Sequence, residues 1–264
     1  MRHPALLIAA SMLAVACQPV VESQATAAPG DKPFDTTVIA DFDQPWAMAF
    51  LPDSNQALIT EKTGKLMLWE SEGEVVEVSG VPKVAFGGQG GLGDVIIHPD
   101  FANNKYVYLS YAEPGDGGFG AAVARGKLGS TDGKPALTDV QVIWRQEPKV
   151  SGQGHYGHRL AFGPDGMLYI SSGDRQKFDP AQDLNQNLGK IVRLTDGGMV
   201  PSDNPFYDQG PVKSQIWSYG HRNIQGAALH PTSGELWTVE HGPQGGDELN
   251  VPATGANHGW PVIT

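Results

Sequence analysis

The sequence of 264 residues contains a single cysteine, Cys17, and relatively few positive charges. One cysteine cannot form an internal disulfide, so a disulfide-stabilised fold is excluded. Lysine and arginine together number 18 against 29 acidic residues, which gives a formal net charge of −11. This acidic balance argues against nucleic acids and anionic membrane surfaces as partners, because both are negatively charged.

Long hydrophobic runs are also scarce, and the clearest one lies at the N-terminus. Residues 1–17 carry a positive charge near their start, followed by an uncharged stretch that is too short to span a bilayer. This pattern predicts a signal peptide, and residues 13–17 resemble a bacterial lipobox, in which Cys17 would be lipidated. The alternative is an ordinary signal peptide cleaved near Ala28. We therefore expect an exported, periplasmic protein, either soluble or anchored to the membrane through Cys17.

The segment after the signal has the composition of a linker. Residues 18–34 are rich in Ala, Gln, Ser, Thr and Pro, which favours a flexible tether, and we expect the folded domain to cover residues 35–264. Helix signals in that domain are weak. The best candidate, residues 179–188, contains Pro180 and is short enough to be a turn.

Glycine and proline are abundant, with 34 and 20 residues spread between short apolar runs. A hairpin pattern recurs four times: an alternating apolar strand, a turn with proline, and a second strand. The turn prolines are separated by 47, 65 and 67 residues, and they are Pro52, Pro99, Pro164 and Pro231. Such intervals are long enough for one four-stranded blade each, so the pattern predicts an all-β protein with a β-propeller fold. A β-sandwich is the alternative, but it gives no reason for the regular repeat.

Two polar segments near the C-terminal end have the composition of a ligand pocket. Residues 219–226 and 240–250 combine an arginine, amides, carboxylates and glycines at predicted strand ends and turns. Binding residues are commonly carried on loops that a rigid scaffold holds in place. These segments therefore predict a binding site on the loops of the propeller.

A series of motifs follows one order along the chain from about residue 44. They lie at residues 88–93, 98–101, 155–160, 163–166, 188–194, 202–206, 220–226, 242–250 and 257–261. Together they resemble the soluble quinoprotein sugar dehydrogenases, specifically the bacterial aldose sugar dehydrogenase branch. The resemblance implies a six-bladed propeller that binds pyrroloquinoline quinone (PQQ) over calcium and oxidises an aldose at its anomeric carbon to a lactone. It also implies that about four blades are present, as in a C-terminally truncated fragment.

Oxidation of a hydroxyl-bearing carbon by hydride transfer needs a base that titrates near neutral pH, and histidine is the usual choice. His155 is the candidate general base, because it lies in a glycine-rich segment that leads into a predicted strand. The resemblance assigns it the same role. His158, three residues later, is the competing candidate.

Hydride transfer to a quinone builds negative charge on an oxygen, which a fixed cation stabilises. Arg222 is the candidate, because a guanidinium is always charged and can hold a quinone oxygen or a carboxylate through two N–H bonds. The resemblance places Gln89, His155, Arg222 and Asn223 at the cofactor, with Gln89 and Asn223 hydrogen-bonding it.

Calcium prefers oxygen ligands, including backbone carbonyls. The resemblance implies that the carbonyls of Gly242 and Pro243 hold the cofactor calcium, and that Glu248, with the His258 carbonyl, holds a second, structural calcium. It also implies that further cations for PQQ come from blades beyond Thr264. We therefore expect the fragment alone to be inactive.

Two other functions fit a propeller of this kind. One is a calcium-dependent lactonase that activates water, and the other is a propeller that only binds a partner. The leading interpretation remains a PQQ-dependent aldose dehydrogenase, with a sugar substrate and an unidentified electron acceptor. The sequence does not identify the sugar, because selectivity depends on loop shape.

Overall fold

The computed structural model describes residues 34–70 and 73–263. The chain divides into two units, residues 1–38 and residues 39–264. Of the first unit only residues 34–38 are described, and they are exposed and form no strand. The predicted signal peptide, Cys17 and nearly all of the predicted linker lie outside the described residues.

Nearly all regular secondary structure in the described part of residues 39–264 is β-strand. Four antiparallel sheets follow one another along the chain, and within each sheet every strand pairs with the next. The first sheet contains β1 (Pro45–Phe50), β2 (Ala57–Glu61), β3 (Lys65–Trp69) and β4 (Val75–Val78). The second contains β5 (Leu92–Ile97), β6 (Tyr106–Gly115), β7 (Gly118–Thr131) and β8 (Lys134–Arg145). The third contains β9 (Gly157–Phe162), β10 (Leu168–Ser172), β11 (Lys190–Leu194) and β12 (Ile216–Tyr219).

The fourth sheet has three strands rather than four. It contains β13 (Ile224–Leu229), β14 (Leu236–Glu240) and β15 (Glu248–Asn250). Helix is confined to α1 (Phe101–Asn104) and two short 3-10 turns, Asp179–Ala181 and Lys213–Gln215. The candidate helix at residues 179–188 is thus reduced to one turn at its start. No helix among the described residues has both the length and the apolar character needed to cross a membrane.

The prediction of an all-β propeller with about four blades is confirmed. All four predicted hairpins form, and each turn proline lies between the first and second strands of its sheet. Every sheet is a meander of consecutive strands, without the exchange of strands between two sheets that a Greek-key sandwich requires. The sandwich alternative is therefore wrong.

Apolar side chains fill the spaces between successive sheets. One buried cluster joins the first and second sheets, another the second and third, and a smaller one the third and fourth. In a sheet that is covered on both faces, both sides of a central strand are buried. This explains why every residue of β2 and of β10 is buried.

The first strands of neighbouring sheets contact one another, so β1, β5, β9 and β13 lie along the axis of the array. Since these strands run in parallel around the axis, the loops that precede them gather at one end. The loops that follow the second strands reach the same end. The turn prolines lie at the opposite end.

Candidate active site

Polar residues from three sheets meet at the end of the array where the first strands begin. Gln89 precedes β5, His155 precedes β9 and Asn223 immediately precedes β13. Asp174 and His241 follow β10 and β14, the second strands of their sheets. Residues far apart in sequence therefore meet because they occupy equivalent positions in successive hairpins.

His155 is buried and held on two sides. Its side chain is 9% exposed, and its ring Nδ1 lies 2.7 Å from Asp174 Oδ1. Its backbone N–H donates to Gln89 Oε1 at 2.7 Å, and its φ of 48° is uncommon for a residue with a side chain. Gly173 is required here, because a Cβ at that position would overlap the His155 carbonyl. An ionised carboxylate only accepts hydrogen bonds, so Nδ1 carries the proton and Nε2 keeps a lone pair that can accept another.

Asp174 connects the site and was not predicted from the sequence. It is completely buried, and Oδ1 also accepts the Gln176 N–H at 2.9 Å. Its Oδ2 accepts the ring N–H of Trp260 at 2.8 Å, and its backbone N–H donates to the Arg222 carbonyl at 2.8 Å. The available signal was that Asp174 lies just after the second strand of its sheet, much as Glu240 ends the second strand of the fourth sheet.

Arg222 is anchored but not saturated. Its backbone N–H donates to Glu240 Oε2 at 2.6 Å, and Nη1 donates to the His241 carbonyl at 3.0 Å. Its Nε is buried and has no hydrogen-bond partner in the described structure. The guanidinium carbon lies 5.2 Å from the centre of the Trp260 ring. A buried donor without a partner is costly, so the arginine is suited to bind a ligand oxygen.

Gln89 and Asn223 present free donors to the same region. The amide oxygen of Gln89 bonds His155, and that of Asn223 accepts the N–H of Gly157 at 3.2 Å. Neither amide nitrogen donates a hydrogen bond to any described residue. Both residues line a polar cavity of about 220 Å³ together with His158. Arg222 and His155 lie nearby but are not among the residues that line this cavity. The free amide N–H groups of Gln89 and Asn223 are the donors at the cavity, and they fit an oxygen-rich ligand such as PQQ.

A larger cavity of about 340 Å³ lies at the other end of the third and fourth sheets. It is lined by residues from the two proline turns there, and none of the predicted site residues contributes to it. Because it contains no convergent set of free donors, we place the candidate site at the smaller cavity.

His158 differs from His155 in every property that a base needs. It is 3% exposed, and both ring nitrogens are buried without a hydrogen-bond partner among the described residues. Burial, reinforced by the nearby cations of Arg175 and Arg159, lowers the pKa of His158 to about 3. Its ring stacks on Tyr156 with centroids 5.2 Å apart. His158 is therefore neutral and weakly basic, and the geometry favours His155 over its competitor.

Replacing His158 with glutamine is expected to remove part of the protein's acid sensitivity. Burial keeps His158 neutral in the folded protein, whereas in the unfolded chain the same side chain takes up a proton near pH 6.5. The contribution of neutral His158 to the free energy of unfolding is therefore fully present above pH 6.5 and is lost as the pH falls toward about 3. The difference between the two pKa values corresponds to as much as about 5 kcal/mol of unfolding free energy. Urea unfolding of the full-length protein at a series of pH values from neutral to acidic gives the slope of the unfolding free energy against pH. His230→Gln is the control, and equal slopes for wild type and His158→Gln would contradict the prediction.

Buried cations hold the loops that carry these residues. The Arg175 guanidinium donates to the carbonyls of Gly152, Gly154 and Phe119 at 2.6–2.8 Å and stacks on Tyr156, with its carbon 3.7 Å from the ring centre. It therefore fixes the glycine-rich segment that ends at His155. Lys190 plays a similar part beside the third sheet, where burial lowers its pKa to about 7. Its Nζ donates to the carbonyls of Pro180, Ala181 and Leu188.

The predicted calcium ligands lie close to Arg222 in the chain but form no preassembled side-chain cluster. Among the described residues there is no group of three or more His, Cys, Asp or Glu side chains arranged to hold a metal. The Gly242 carbonyl accepts no hydrogen bond from any described residue, while the Pro243 carbonyl accepts the Gly246 N–H at 3.0 Å. Gly242 itself follows His241, whose carbonyl anchors Arg222. The free Gly242 carbonyl is an oxygen of the kind that calcium takes as a ligand.

The predicted second calcium site is only partly assembled. Glu248 lies opposite Glu240 in the β14–β15 pair, and Asn250 Nδ2 bonds both carboxylates, at 2.9 and 3.1 Å. The His258 carbonyl, the predicted ligand, accepts no hydrogen bond from any described residue. The His258 ring stacks on His221, with centroids 4.4 Å apart. Burial and the neighbouring His221 lower the pKa of His258 to about 4, so its ring is neutral at pH 7.

The chain is similar to known proteins of one family. Residues 42–264 match the glucose/sorbosone dehydrogenase family. The chain is 48% identical to aldose sugar dehydrogenase YliI of Escherichia coli over 84% of its length, and 32% identical to quinoprotein glucose dehydrogenase B of Acinetobacter calcoaceticus over 96%. Among solved structures, the PQQ-bound aldose sugar dehydrogenase of Streptomyces coelicolor is 30% identical, with a TM-score of 0.75 over 86% of this chain and 66% of that one.

The chain is shorter than these relatives. It spans 60% of the E. coli protein and 57% of the A. calcoaceticus protein.

Proposed function

Because the chain belongs to the glucose/sorbosone dehydrogenase family, we propose that the protein is a PQQ-dependent dehydrogenase that oxidises an aldose at its anomeric carbon to a lactone. The observation that carries the proposal is the pairing of His155 with buried Asp174, next to an arginine with an unpaired buried Nε. This pairing supplies a base and a fixed cation at one site.

The free donors of the site would hold the cofactor. Gln89 and Asn223 would each donate an amide N–H to its oxygens, and Arg222 would donate from Nε. When bound, PQQ would supply the two-electron oxidant for the sugar. The Gly242 and Pro243 carbonyls would hold its calcium ion, and Glu248 with the His258 carbonyl would hold the structural calcium.

His155 would act on the sugar through Nε2. With Nδ1–H bonded to Asp174, Nε2 accepts the proton of the anomeric hydroxyl as the carbon–hydrogen bond weakens. The imidazolium formed in this step is stabilised by the buried carboxylate, which has no water shell to compete with it. The fixed charge of Arg222 stabilises negative charge that develops on an oxygen within reach of its free N–H groups.

The proposed function is tested by adding PQQ and calcium to the full-length protein. Glucose and other aldoses are supplied as substrates, and the reduction of a redox dye is followed. We expect dye reduction that depends on both additions. Lactone hydrolysis without dye reduction would identify a lactonase instead. A folded protein with neither activity would favour a binding propeller.

Replacing Arg222 with lysine is expected to weaken PQQ binding by about 10–100-fold, which is the effect of losing one or two charge-assisted hydrogen bonds. A lysine keeps the positive charge but lacks the planar arrangement of N–H groups. Titration of PQQ in the presence of calcium measures the change. Arg145→Lys is the matched control, because Arg145 is 51% exposed and pairs with Glu113. Equal affinity of the wild type and Arg222→Lys would show that Arg222 does not bind the cofactor.

A further inference from the structure

Trp260 is fixed at both its backbone and its ring. It follows the fourth sheet, is 7% exposed, and donates its backbone N–H to the Gly220 carbonyl at 3.0 Å. Its own carbonyl accepts a hydrogen bond from Gln182 Nε2 at 2.6 Å. The indole N–H has one partner, Asp174 Oδ2, at 2.8 Å. The ring is therefore a rigid donor aimed at the carboxylate that bonds His155.

The same ring touches the second catalytic candidate. The Arg222 guanidinium lies 5.2 Å from its centre, a distance at which a cation is attracted to the face of tryptophan. Phe178 packs against the ring with centroids 5.4 Å apart. One side chain thus contacts both Arg222 and the hydrogen-bond partner of His155.

The two oxygens of Asp174 have separate hydrogen-bond partners, so the bond from the Trp260 indole affects how the carboxylate is oriented toward His155. Oδ1 serves His155 and Gln176, whereas Oδ2 serves Trp260. The terminal torsion of an aspartate is soft, so a carboxylate bonded through one oxygen can rotate. The bond from Trp260 removes that freedom and keeps Oδ1 against His155 Nδ1.

We propose that Trp260 is a positioning residue that fixes the relative placement of the general base and the catalytic cation. This inference rests on the proposed function, since it assigns Trp260 a role in the same reaction. Trp260 acts on the base through Asp174 and on Arg222 through the face of its ring.

Two substitutions separate these contacts. Trp260→Phe keeps an aromatic ring beside Arg222 and removes the N–H bond to Asp174, so we expect kcat to fall about 10-fold with little change in PQQ affinity. Trp260→Leu removes both contacts, and we expect PQQ affinity to fall about 3–10-fold as well. Trp217→Phe is a matched control. The indole N–H of Trp217 is likewise hydrogen-bonded, to the Pro252 carbonyl at 3.0 Å, and the guanidinium carbon of Arg193 lies 5.1 Å from its ring centre. Trp217, however, lines the cavity at the other end of the sheets.

NMR of the histidine ring protons in the cofactor-free protein reports on the His155–Asp174 hydrogen bond without requiring enzymatic activity. The Nδ1–H proton of His155, bonded to a carboxylate, is expected as a slowly exchanging downfield resonance in the wild type and in Trp217→Phe. It should broaden or disappear in Trp260→Phe. An unchanged resonance in Trp260→Phe would overturn the proposal, even if the rate fell. Absence of aldose oxidation by the wild type would instead refute the proposed function, and the NMR comparison would still report on positioning.

A double-mutant cycle with Asp174→Asn tests the mechanism further. In the single variant Asp174→Asn, an amide oxygen that stays on His155 leaves the NH₂ group in the place of Oδ2. That NH₂ group would then face the indole N–H of Trp260, and the two donors repel each other. Trp260 therefore disfavours the orientation in which the amide oxygen bonds His155. Trp260→Phe removes that conflict. We therefore expect Asp174→Asn to cost at least threefold less in kcat in the Trp260→Phe background than in wild type. Additive effects would overturn the proposal, because a tryptophan that acts only by packing would not couple to the identity of residue 174.

Discussion

Replacing His155 with alanine is expected to lower kcat for aldose oxidation by about 10²–10⁴-fold, the usual contribution of a general base. His155 has a buried carboxylate 2.7 Å from Nδ1, whereas His241, the other histidine of the site with a carboxylate at Nδ1, has only a 3.4 Å contact to exposed Asp247. Its side chain is not among the free donors that fit the cofactor, so the PQQ affinity of the variant should stay within a few-fold of wild type. Steady-state dye reduction and PQQ titration measure the two quantities separately.

His230→Ala provides the control for this experiment. His230 follows β13 at the end opposite Asn223, so its removal should leave kcat unchanged. Retained activity in His155→Ala would place the base elsewhere. Loss of PQQ binding together with activity would make His155 a binding residue rather than the base.

The fold was predictable because its determinants are local. Each hairpin is set by an apolar strand, a proline turn and a second strand within about 20 residues, and hairpins at blade-sized intervals favour a propeller. The three-stranded fourth sheet was not predicted, since strand pairing at the edge of a sheet leaves a weak local signal. The helical turn at Phe101–Asn104 was also missed, because four residues are too few for a periodic pattern.

Some residues of the site were predictable from the sequence and others were not, and the difference has a physical reason. Gln89, His155, Arg222 and Asn223 lie in polar, glycine-rich runs, and the structure brings all four to one end of the sheets. Asp174 follows a buried strand as a single acidic residue, a pattern common to ordinary turns. Its partner Trp260 is 86 residues away in sequence, so their hydrogen bond exists only in the folded chain.

The choice between the two histidines also required the structure. His155 and His158 are three residues apart in similar sequence, and their environments differ because one ring meets a carboxylate and the other meets aromatic rings and cations. Burial without a partner lowers the pKa of His158 and makes it a weak base, whereas His155 has a buried carboxylate as its hydrogen-bond partner. Sequence position alone carries no information about this difference.

Replacing Asp174 with asparagine is expected to lower kcat by about 10²–10³-fold, although the substitution changes no side-chain volume. The carboxylate accepts hydrogen bonds from three N–H groups, those of His155, Gln176 and Trp260. An amide has only one oxygen, so at least one of these donors must face its NH₂ group. When that donor is His155, the imidazole proton moves to Nε2, and the lone pair needed for the substrate proton is lost.

Asp208→Asn is the matched control, because Asp208 is exposed and makes no hydrogen bond to another described side chain. We expect the control to keep wild-type kcat and Asp174→Asn to keep wild-type PQQ affinity, since the cofactor donors are on other residues. A kcat within threefold of wild type would show that Asp174 does not set the tautomer of His155. The size of the loss matters as well, because a loss equal to that of His155→Ala would mean that the base works only in the tautomer that Asp174 imposes.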